Sequence, residues 1–521
     1  IFKKNGLSIL AFVLLVIVLA FASLCRASHF HFWRDDWGNL WELTFHPEVS
    51  VYFDNGVSLR RHPGLAVEKV IGNKFFGQNI FAWQMFGITL RILDSLAVTL
   101  MLFGLTKSRK AAILAGLFMA SAIGGMEAVT WLSAHYSAIF LIFLCTGMYF
   151  WVKSLEDSGI NYKIFGYALI LFSVAVSITP AGGLLIIPIL ALWDFLSWLR
   201  VRTKKSFFLF IFRNLVSGLM LFAIVNWLNS KLAIFGHGDI LNTAKSAFSN
   251  PVLFKNYLSS LGNLLTSWFL QIGEPISLST PTNINFIAAI LFIGISTMLV
   301  LLFLFKKTRN LQVLVFLVSW MFIFYFPNWL YEKTLVVGSS HRYVAVSSIA
   351  LAGIFAVLIY RLRPKLIILF SLVFIGLNIF AANRLLESIS EYRSRKVVQP
   401  IWDQIDREVE PGQKDLIFMY FGSDLVWGTS MTWSGSVPFG IKRGITNSND
   451  LPIVTGDRQL VIKLLCETDV YRPTLGGWVT QKNRIPISHL YAWEWKNGIL
   501  IKVSANERLA FTKGAPCWVL P

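Results

Sequence analysis

Residues 7–25 read LSILAFVLLVIVLAFASLC, and residues 32–40 read FWRDDWGNL. The first stretch is long enough for one membrane-spanning helix, because about 20 apolar residues cross the roughly 30 Å hydrocarbon core of a bilayer. Two lysines precede it, whereas Asp35 and Asp36 follow it. The sequence therefore predicts a pair of carboxylates on an external loop, immediately beyond a membrane helix.

The composition is that of a membrane protein. Of 521 residues, 55% are hydrophobic and 14% are charged, and the mean hydropathy is +0.60. Soluble chains rarely combine these values. Apolar stretches predict an all-α, polytopic membrane bundle of about eleven spans, at approximately 7–25, 83–105, 111–132, 137–153, 163–178, 183–199, 206–228, 284–305, 311–328, 344–361 and 365–383.

Basic residues in the short loops orient these spans. Lys and Arg mark the cytoplasmic side of a membrane protein. An odd number of spans then places the C-terminal tail on the other side, together with the loop that carries Asp35 and Asp36. The basic residues that fall on one side are Lys3, Lys4, Lys107, Arg109, Lys110, Lys153, Lys163, Arg200, Arg202, Lys204, Lys205, Lys306, Lys307, Arg309, Arg361, Arg363 and Lys365.

The net charge of +19 could indicate a nucleic-acid partner. Much of the excess is accounted for by the short loops, so we expect no nucleic-acid binding and favour phosphate on a lipid carrier as the partner. The first apolar stretch could also be a cleaved signal peptide. Its apolar core is longer than is usual for a signal, and we favour a retained helix.

The sequence predicts two domains. Residues 1–384 form the membrane domain, with large external loops at 26–82 and 229–283, and residues 385–521 form a small extracytoplasmic α/β domain. Its expected elements are a helix through Trp402 and Ile405, strands within 415–422 and 460–465, and a hairpin that turns at Asn497-Gly498. Cys466 and Cys517 could pair in an oxidising compartment.

Several motifs resemble those of the GT-C membrane glycosyltransferases, particularly the bacterial and protein-O-mannosyltransferase-like branch. The DD pair, RRHP at 60–63 and FFGQN at 75–79 lie in the family's order. GGMEAVTWLSAHY at 124–136 resembles the family's EAV-W segment, with Ala-His-Tyr where Gly-Arg is more usual. The resemblance covers residues 1–384, and the tail matches no module of the family.

The resemblance implies an inverting transferase that moves a sugar from a polyprenyl-phosphate carrier to a glycan, lipid or protein acceptor. A carboxylate that removes the acceptor proton contributes typically 10² to 10⁴ in rate. Asp35 or Asp36 is the candidate base, and the other would orient the acceptor or a metal. No cofactor is required by the sequence, although a divalent cation, Mg²⁺ or Mn²⁺, would suit the acidic pair.

Further candidates follow from charge and position. Glu127 and His135 are candidates for supporting the acceptor or a metal, because an isolated charge near a membrane helix is costly and suggests a function or a partner. Positive groups would stabilise the phosphate that leaves, and for each of them simple interfacial anchoring is the alternative. The donor-phosphate candidates are Arg61, Arg342, Tyr343 and Lys333.

Other functional classes were weighed against a transferase. A transporter would favour polar residues and broken helices near the middle of the membrane. An O-antigen polymerase or ligase, and a non-catalytic assembly subunit with a GT-C-like fold, are nearer alternatives. We expect an integral protein of a bacterial inner membrane with its C-terminal domain in the periplasm or outside, although an endoplasmic reticulum protein would have the same topology.

Overall fold

The protein is described by a computed structural model, which is mostly helical with short strands near the C-terminal end. Contacts within the chain define two units. The first unit comprises residues 1–28, 58–66 and 84–388, and the second comprises residues 29–57, 67–83 and 389–521. The residues that the structure describes are 6–47, 63–156, 160–176, 185–232, 249–270, 283–331, 342–421, 431, 436–474, 477–504 and 506–507.

Helices account for most of the described chain. In chain order they are α1 (Gly6–Leu24), α2 (Asp35–Phe45), α3 (Pro63–Phe76), α4 (Ile80–Thr106), α5 (Arg109–Ser121), α6 (Glu127–Thr130), α7 (His135–Glu156), α8 (Ile160–Val176), α9 (Ile186–Val201), α10 (Lys204–Leu232), α11 (Pro251–Leu270), α12 (Asn283–Lys306), α13 (Arg309–Tyr331), α14 (Ala345–Ile359), α15 (Pro364–Arg393), α16 (Arg395–Glu408), α17 (Val437–Arg443) and α18 (Arg458–Cys466).

Six of the described helical segments are long and apolar enough to cross a membrane. Helices also lie at the predicted spans 163–178, 183–199, 206–228 and 344–361, but they are not among these six, so the count of about eleven stays a prediction. The six segments are Ser8–His29, Ile80–Thr106, Leu132–Glu156, Ile284–Lys306, Arg309–Phe326 and Pro364–Arg393.

The predicted span at 111–132 is wrong as a single helix. Helix α5 ends at Ser121, and the backbone of Ala122 turns to an extended conformation. The chain then forms a turn before the short helix α6 begins at Glu127. Gly125 in this turn has a φ of +62°, a conformation that glycine adopts without steric cost. Glu127 therefore opens a separate short helix instead of lying within a span.

Helices of the first unit pack in sequential and crossing pairs. Helix α5 contacts α1 and α14, α7 contacts α8, α11 contacts α12, and α13 contacts both α12 and α14. Around α1, a buried apolar cluster contains Phe12, Val16, Leu19 and Ala120. Ser23 adds a polar link because its hydroxyl donates to the Ser121 carbonyl at 3.2 Å. Small and apolar side chains thus join the first span to the helices that follow it.

Loops with basic residues meet at one place in the first unit. The Arg309 guanidinium donates to the carbonyls of Leu105 and Gly104 at 2.7 and 2.9 Å, and to Glu156 at 2.9 Å. Lys107 also forms an ion pair with Glu156. Three helix ends that the sequence assigned to the cytoplasmic side are therefore in direct contact, which agrees with the predicted topology.

The strand region of the second unit is a small mixed sheet. Its strands are β1 (Ile417–Phe421), β2 (Ile453–Thr455), β3 (Val470–Thr474), β4 (Gly477–Gln481), β5 (Leu490–Lys496) and β6 (Ile499–Lys502). Four of them follow the order β2-β1-β5-β6, with β1 parallel to β2 and β5, and β3 pairs with β4 alone. The predicted strand within 415–422 is confirmed as β1.

The predicted hairpin is confirmed by the antiparallel pair β5 and β6. Lys496 is opposite Ile499, so the turn contains only Asn497 and Gly498. Both have positive φ, 52° and 76°. A two-residue turn with two positive φ angles matches the twist of the flanking strands, and Asn-Gly is the usual sequence for it.

The strand predicted at 460–465 is wrong, because these residues lie in helix α18. Asp457 caps this helix by accepting a hydrogen bond from the Gln459 backbone N–H at 2.8 Å. Val461 and Leu464 point into the core and are fully buried. Residues three apart share a helix face, so the apolar run LVIKLL suits a capped amphipathic helix as well as it suits a strand.

The four-stranded sheet separates two apolar clusters. One contains Phe418, Tyr491 and Trp493 with Trp402 and Ile405 of α16, whose predicted helix is confirmed. The other contains residues of alternate parity on the same strands, Ile417, Met419, Leu490 and Ala492, together with Val461 and Leu464. Successive side chains of a strand point to opposite faces. Both faces of the sheet are therefore covered.

The cysteines are in different states. Cys466 is disulfide-bonded, whereas Cys25 and Cys145 are free thiols. Cys517, the predicted partner of Cys466, lies outside the described residues.

Candidate functional site

The DD pair lies at the start of α2, after a tight turn. The Asp36 backbone N–H donates to the Trp33 carbonyl at 3.0 Å, and the Asp36 carboxylate accepts from the Trp33 N–H at 3.1 Å. Arg34, inside this turn, has φ 49° and ψ −120°, the angles of the first central residue of a type II′ turn, a position that usually holds glycine. The turn thus holds a non-glycine residue in a costly conformation directly before the acidic pair.

The two carboxylates occupy different environments. Asp35 is exposed, whereas Asp36 is only 2% exposed. The guanidinium of Arg393 lies 4.0 Å from the Asp36 carboxylate, and neither side chain is more than 1% exposed. Both aspartates are in the first helical turn, where the helix dipole favours negative charge. Asp36 is therefore a buried counter-ion of Arg393, and Asp35 is the accessible member of the pair.

Residues 30–33 are joined to the end of α15 and the start of α16. Phe30 and Ser394 form an isolated antiparallel bridge, and the His31 N–H donates to the Arg393 carbonyl at 2.8 Å. The Arg393 guanidinium also lies over the Phe30 ring at 5.1 Å and over the Trp33 ring at 4.9 Å. Because these contacts combine backbone pairing with an ion pair, they determine where the DD turn lies within the second unit.

His31 is held in one neutral tautomer. Its Nδ1 accepts from the Phe32 backbone N–H at 2.8 Å, so the ring proton is on Nε2, which is 2.8 Å from the Gln399 side-chain oxygen. Burial lowers the pKa of His31, and the positive charges of Arg395 and Arg393 add to the effect against the opposing hydrogen bond to Gln399. The uncharged ring stacks on Trp37 of α2, with centroids 5.0 Å apart.

A buried lysine in α3 was missed by the sequence analysis. Lys69 is 2% exposed, and its Nζ lies 2.9 Å from the Glu68 carboxylate and 4.7 Å from the Trp83 ring centroid. Asn73 of the same helix donates to the carbonyl of Leu43, at the end of α2, at 3.0 Å. Lysine is almost never fully buried unless paired. The signal in the sequence is a Glu-Lys dipeptide inside the apolar stretch LAVEKVI at 65–71.

In the first unit, the structure brings Glu127 and Arg342 together. One oxygen of Glu127, Oε2, accepts from the Arg342 backbone N–H at 3.0 Å and from its guanidinium at 3.3 Å. The guanidinium lies over the Trp131 ring at 4.2 Å and keeps 17% of the side chain exposed, while Glu127 is buried. Two predicted site residues therefore lie together, and the Glu127 carboxylate holds the positively charged side chain of Arg342.

The turn before Glu127 is held by polar contacts from neighbouring helices. The Arg91 guanidinium donates to the Gly124 carbonyl at 3.0 Å. The side-chain oxygen of Asn378 accepts from the Ile123 N–H at 3.2 Å. Gly125 packs so closely against Ala345 that a side chain there would overlap it. The Arg91 hydrogen bond thus helps to position the segment that carries Glu127.

His135 and its neighbour Tyr136 differ in their contacts. His135 is fully buried at the start of α7, with its ring centroid 5.9 Å from that of Phe86. Tyr136 is hydrogen-bonded to Arg342 and to Ser137. Tyr136 therefore belongs to the Glu127–Arg342 group and was missed by the sequence analysis, because one aromatic residue at the start of a membrane helix gives no distinguishing signal. A role for His135 in acceptor or metal support stays a prediction.

The structure does not test the remaining donor-phosphate candidates. Arg61 and Lys333 lie outside the described residues. Tyr343 is within the short 3-10 helix Arg342–Val344, of which only the backbone is described at this position.

A metal site was weighed against the described residues. Among them, no three or more His, Cys, Asp or Glu side chains form a group that could hold a metal ion. Asp36 is moreover engaged by Arg393 and by the Trp33 N–H. These described residues therefore do not form a preassembled set of metal ligands.

No protein-family model matches the sequence, and no curated protein sequence matches it. Solved structures do resemble the fold. The chain is similar to ArnT from Cupriavidus metallidurans bound to undecaprenyl phosphate, with a TM-score of 0.46, 12% identity, and coverage of 96% of this chain and 94% of that one.

A second neighbour is the oligosaccharyltransferase AglB from Archaeoglobus fulgidus in complex with an inhibitory peptide and a dolichol-phosphate. The TM-score is 0.49 at 13% identity, and the match covers 87% of this chain but only 65% of AglB. The same archaeal enzyme in complex with Zn and sulfate gives a TM-score of 0.44 at 11% identity. Likeness at this level assigns no activity, so a functional assignment depends on the site residues.

Proposed function

We propose that the chain is an inverting glycosyltransferase that moves a hexose or pentose from a polyprenyl-phosphate-linked donor to an acceptor on the extracytoplasmic face of the membrane. The observation that carries this proposal is that the two aspartates of the DD pair lie in different environments. Asp36 is buried against Arg393, whereas Asp35 is exposed in the first turn of α2. An exposed carboxylate beside a neutralised one suits a general base.

In the proposed reaction, Asp35 takes the proton of the acceptor hydroxyl as its oxygen bonds to the anomeric carbon of the donor sugar. The bond between that carbon and the phosphate oxygen breaks, and the electron pair leaves with the polyprenyl phosphate. Attack from the face opposite the leaving group inverts the anomeric configuration. Because the hydroxyl is a weak nucleophile, removal of its proton in the transition state is where Asp35 contributes.

The leaving phosphate needs positive charge. Arg342 offers a partly exposed guanidinium whose orientation is supported by Glu127 and Trp131, and guanidinium geometry suits bidentate phosphate contact. Lys69, a buried cation held by Glu68 against Trp83, is a separate candidate for donor binding. We assign Arg342 to donor phosphate recognition, where a preorganised positive group is most effective because it needs no reorganisation during the reaction.

The extracytoplasmic assignment is supported by two independent features. The basic loops around Lys107 and Arg309 meet at one end of the first unit, and such loops mark the cytoplasmic side. Cys466 of the second unit is disulfide-bonded, and disulfides persist in oxidising compartments such as the bacterial periplasm. We therefore infer a bacterial inner-membrane protein whose chemistry takes place outside the cytoplasm.

The test is release of polyprenyl phosphate by the full chain in lipid nanodiscs, using a panel of polyprenyl-phosphate hexoses and pentoses. Asp35→Asn should lower release by roughly 10² to 10⁴. Asp450→Asn, an exposed aspartate in the short 3-10 helix Ser448–Asp450, is the matched control and should keep full activity. Unchanged release by the Asp35→Asn variant on a donor that the wild type uses would overturn the assignment of Asp35.

A further inference from the structure

Arg393 is among the most deeply buried charged residues that the structure describes. Its side chain is 1% exposed and its large guanidinium is enclosed by the Phe30 and Trp33 rings. Burying a guanidinium in an apolar setting is costly unless it is paired. The described carboxylate that pairs with it is Asp36, at 4.0 Å.

We propose that Arg393 is a positioning residue: by holding Asp36 as a buried counter-ion, it fixes the DD turn so that Asp35 is presented to the acceptor. This inference rests on the proposed function. It assigns a catalytic contribution to the junction between α15 and α16.

Three contacts hold Arg393 and the DD turn together, and the contacts of its guanidinium favour an arginine at this point. The backbone carbonyl of Arg393 accepts from His31, so the residue is anchored by its main chain next to the DD turn. Its planar guanidinium lies against two aromatic rings while it faces Asp36, a combination that a lysine ammonium reproduces poorly. The Asp36 carboxylate is itself bonded to the Trp33 N–H. Arg393 therefore acts on the turn through Asp36 and does not need to touch the substrate.

The same contacts explain why adjacent carboxylates can have separate roles. Here Asp36 faces the buried guanidinium of Arg393 at 4.0 Å, so its charge is compensated within the protein. Asp35 lies on the exposed side of the turn, where a substrate can reach it. The proposal consequently places the reacting group at Asp35 and gives Asp36 a supporting role.

The test is a double-mutant cycle on kcat for polyprenyl phosphate release. Arg393→Met alone should lower kcat by roughly tenfold or more, because Asp36 is left without its counter-ion and the turn shifts. The double variant Arg393→Met/Asp36→Asn removes both charges and should recover at least several-fold of that loss. KM for the donor should change little in either variant. Arg393→Lys should fall between wild type and Arg393→Met.

Arg384→Met is the matched control, because Arg384 is on the same helix, is about half exposed and contacts only Glu387 among the ion pairs of the described residues. It should behave as wild type. Additive losses in the cycle would overturn the proposal. So would a double variant as inactive as Asp35→Asn, since Asp36 would then be the reacting group.

Hydrogen exchange separates failure of this inference from failure of the proposed function. In Arg393→Met, the amides of residues 33–37 should exchange faster than in wild type, whether or not any donor is turned over. If exchange is faster in Arg393→Met but the wild type turns over no donor of the panel, the transferase assignment is contradicted and the positioning contact is supported. Unchanged exchange in a folded variant would contradict the positioning role itself.

Discussion

Glu127 accepts two hydrogen bonds from Arg342 through a single oxygen, one from the backbone N–H and one from the guanidinium. This pairing explains why a carboxylate is tolerated among buried apolar residues at this point, since a buried charge needs a partner. It also assigns Glu127 a supporting role that differs from direct contact with an acceptor.

Glu127→Gln should therefore weaken the hold on Arg342 and reduce its contribution to donor binding. Glutamine keeps an acceptor oxygen but lacks the charge. A hydrogen bond to a charged group contributes about 1.5–3 kcal/mol, against about 0.5–1.5 kcal/mol for a neutral one, so KM for the polyprenyl-phosphate donor should rise several-fold. Kinetics in nanodiscs would measure this, with Glu387→Gln at an exposed position as control. A fall in kcat at constant KM would instead indicate that Glu127 acts on the acceptor.

Lys69→Met should destabilise the protein, because it leaves the buried Glu68 carboxylate without its cation. Removing one member of a buried pair costs about 3–5 kcal/mol. The double variant Glu68→Gln/Lys69→Met should recover most of the stability, which thermal unfolding in detergent would show. If Lys69 binds the donor phosphate, the stable double variant should remain impaired in donor binding; full recovery of binding would show that Lys69 is only structural.

Arg34 offers a test of backbone strain beside the DD pair. Its φ of 49° and ψ of −120° suit glycine, whereas its guanidinium stacks 4.1 Å from the Trp33 ring. Arg34→Gly and Arg34→Ala both lose this stacking, but only glycine relieves the strain, which is of order 1–3 kcal/mol. We expect the glycine variant to have a higher melting temperature than the alanine variant, although glycine usually destabilises a protein relative to alanine. Equal values would show that the turn relaxes without cost.

The protein should become less stable as the pH falls, because of His31. Its folded pKa lies below 6.5, primarily because the ring is buried. As the pH drops below 6.5, the unfolded chain binds a proton that the folded protein does not, so stability is lost progressively until the folded pKa is reached. Above pH 6.5 the contribution is constant.

His31→Asn keeps an acceptor near the Phe32 N–H but cannot titrate in this range. The difference in melting temperature between pH 7.5 and pH 5.5 should therefore be smaller in this variant than in wild type. His29→Asn, at an exposed neighbouring histidine, should leave the difference unchanged. An equal pH dependence in the wild type and His31→Asn would show that other groups control acid stability.

Elements governed by local sequence were predicted well. The helices around residues 7–25 and 284–305 follow from unbroken apolar runs, and the β5–β6 hairpin follows from Asn497-Gly498 between strand-like segments. Element type failed at 460–465, where an apolar run satisfies both the strand and the helix pattern and the cap at Asp457 decides between them. The third predicted span failed for a related reason, because hydropathy does not register the turn at Gly125.

The sequence by itself determined that this is a polytopic membrane protein with an acidic pair just beyond its first span, because hydrophobic length and charge position are local properties. Only the tertiary structure decided that Asp36 is buried and Asp35 exposed, and that Glu127 supports Arg342. These outcomes depend on residues distant in the chain, such as Arg393. Its charge acts on Asp36 only after folding has removed both side chains from water.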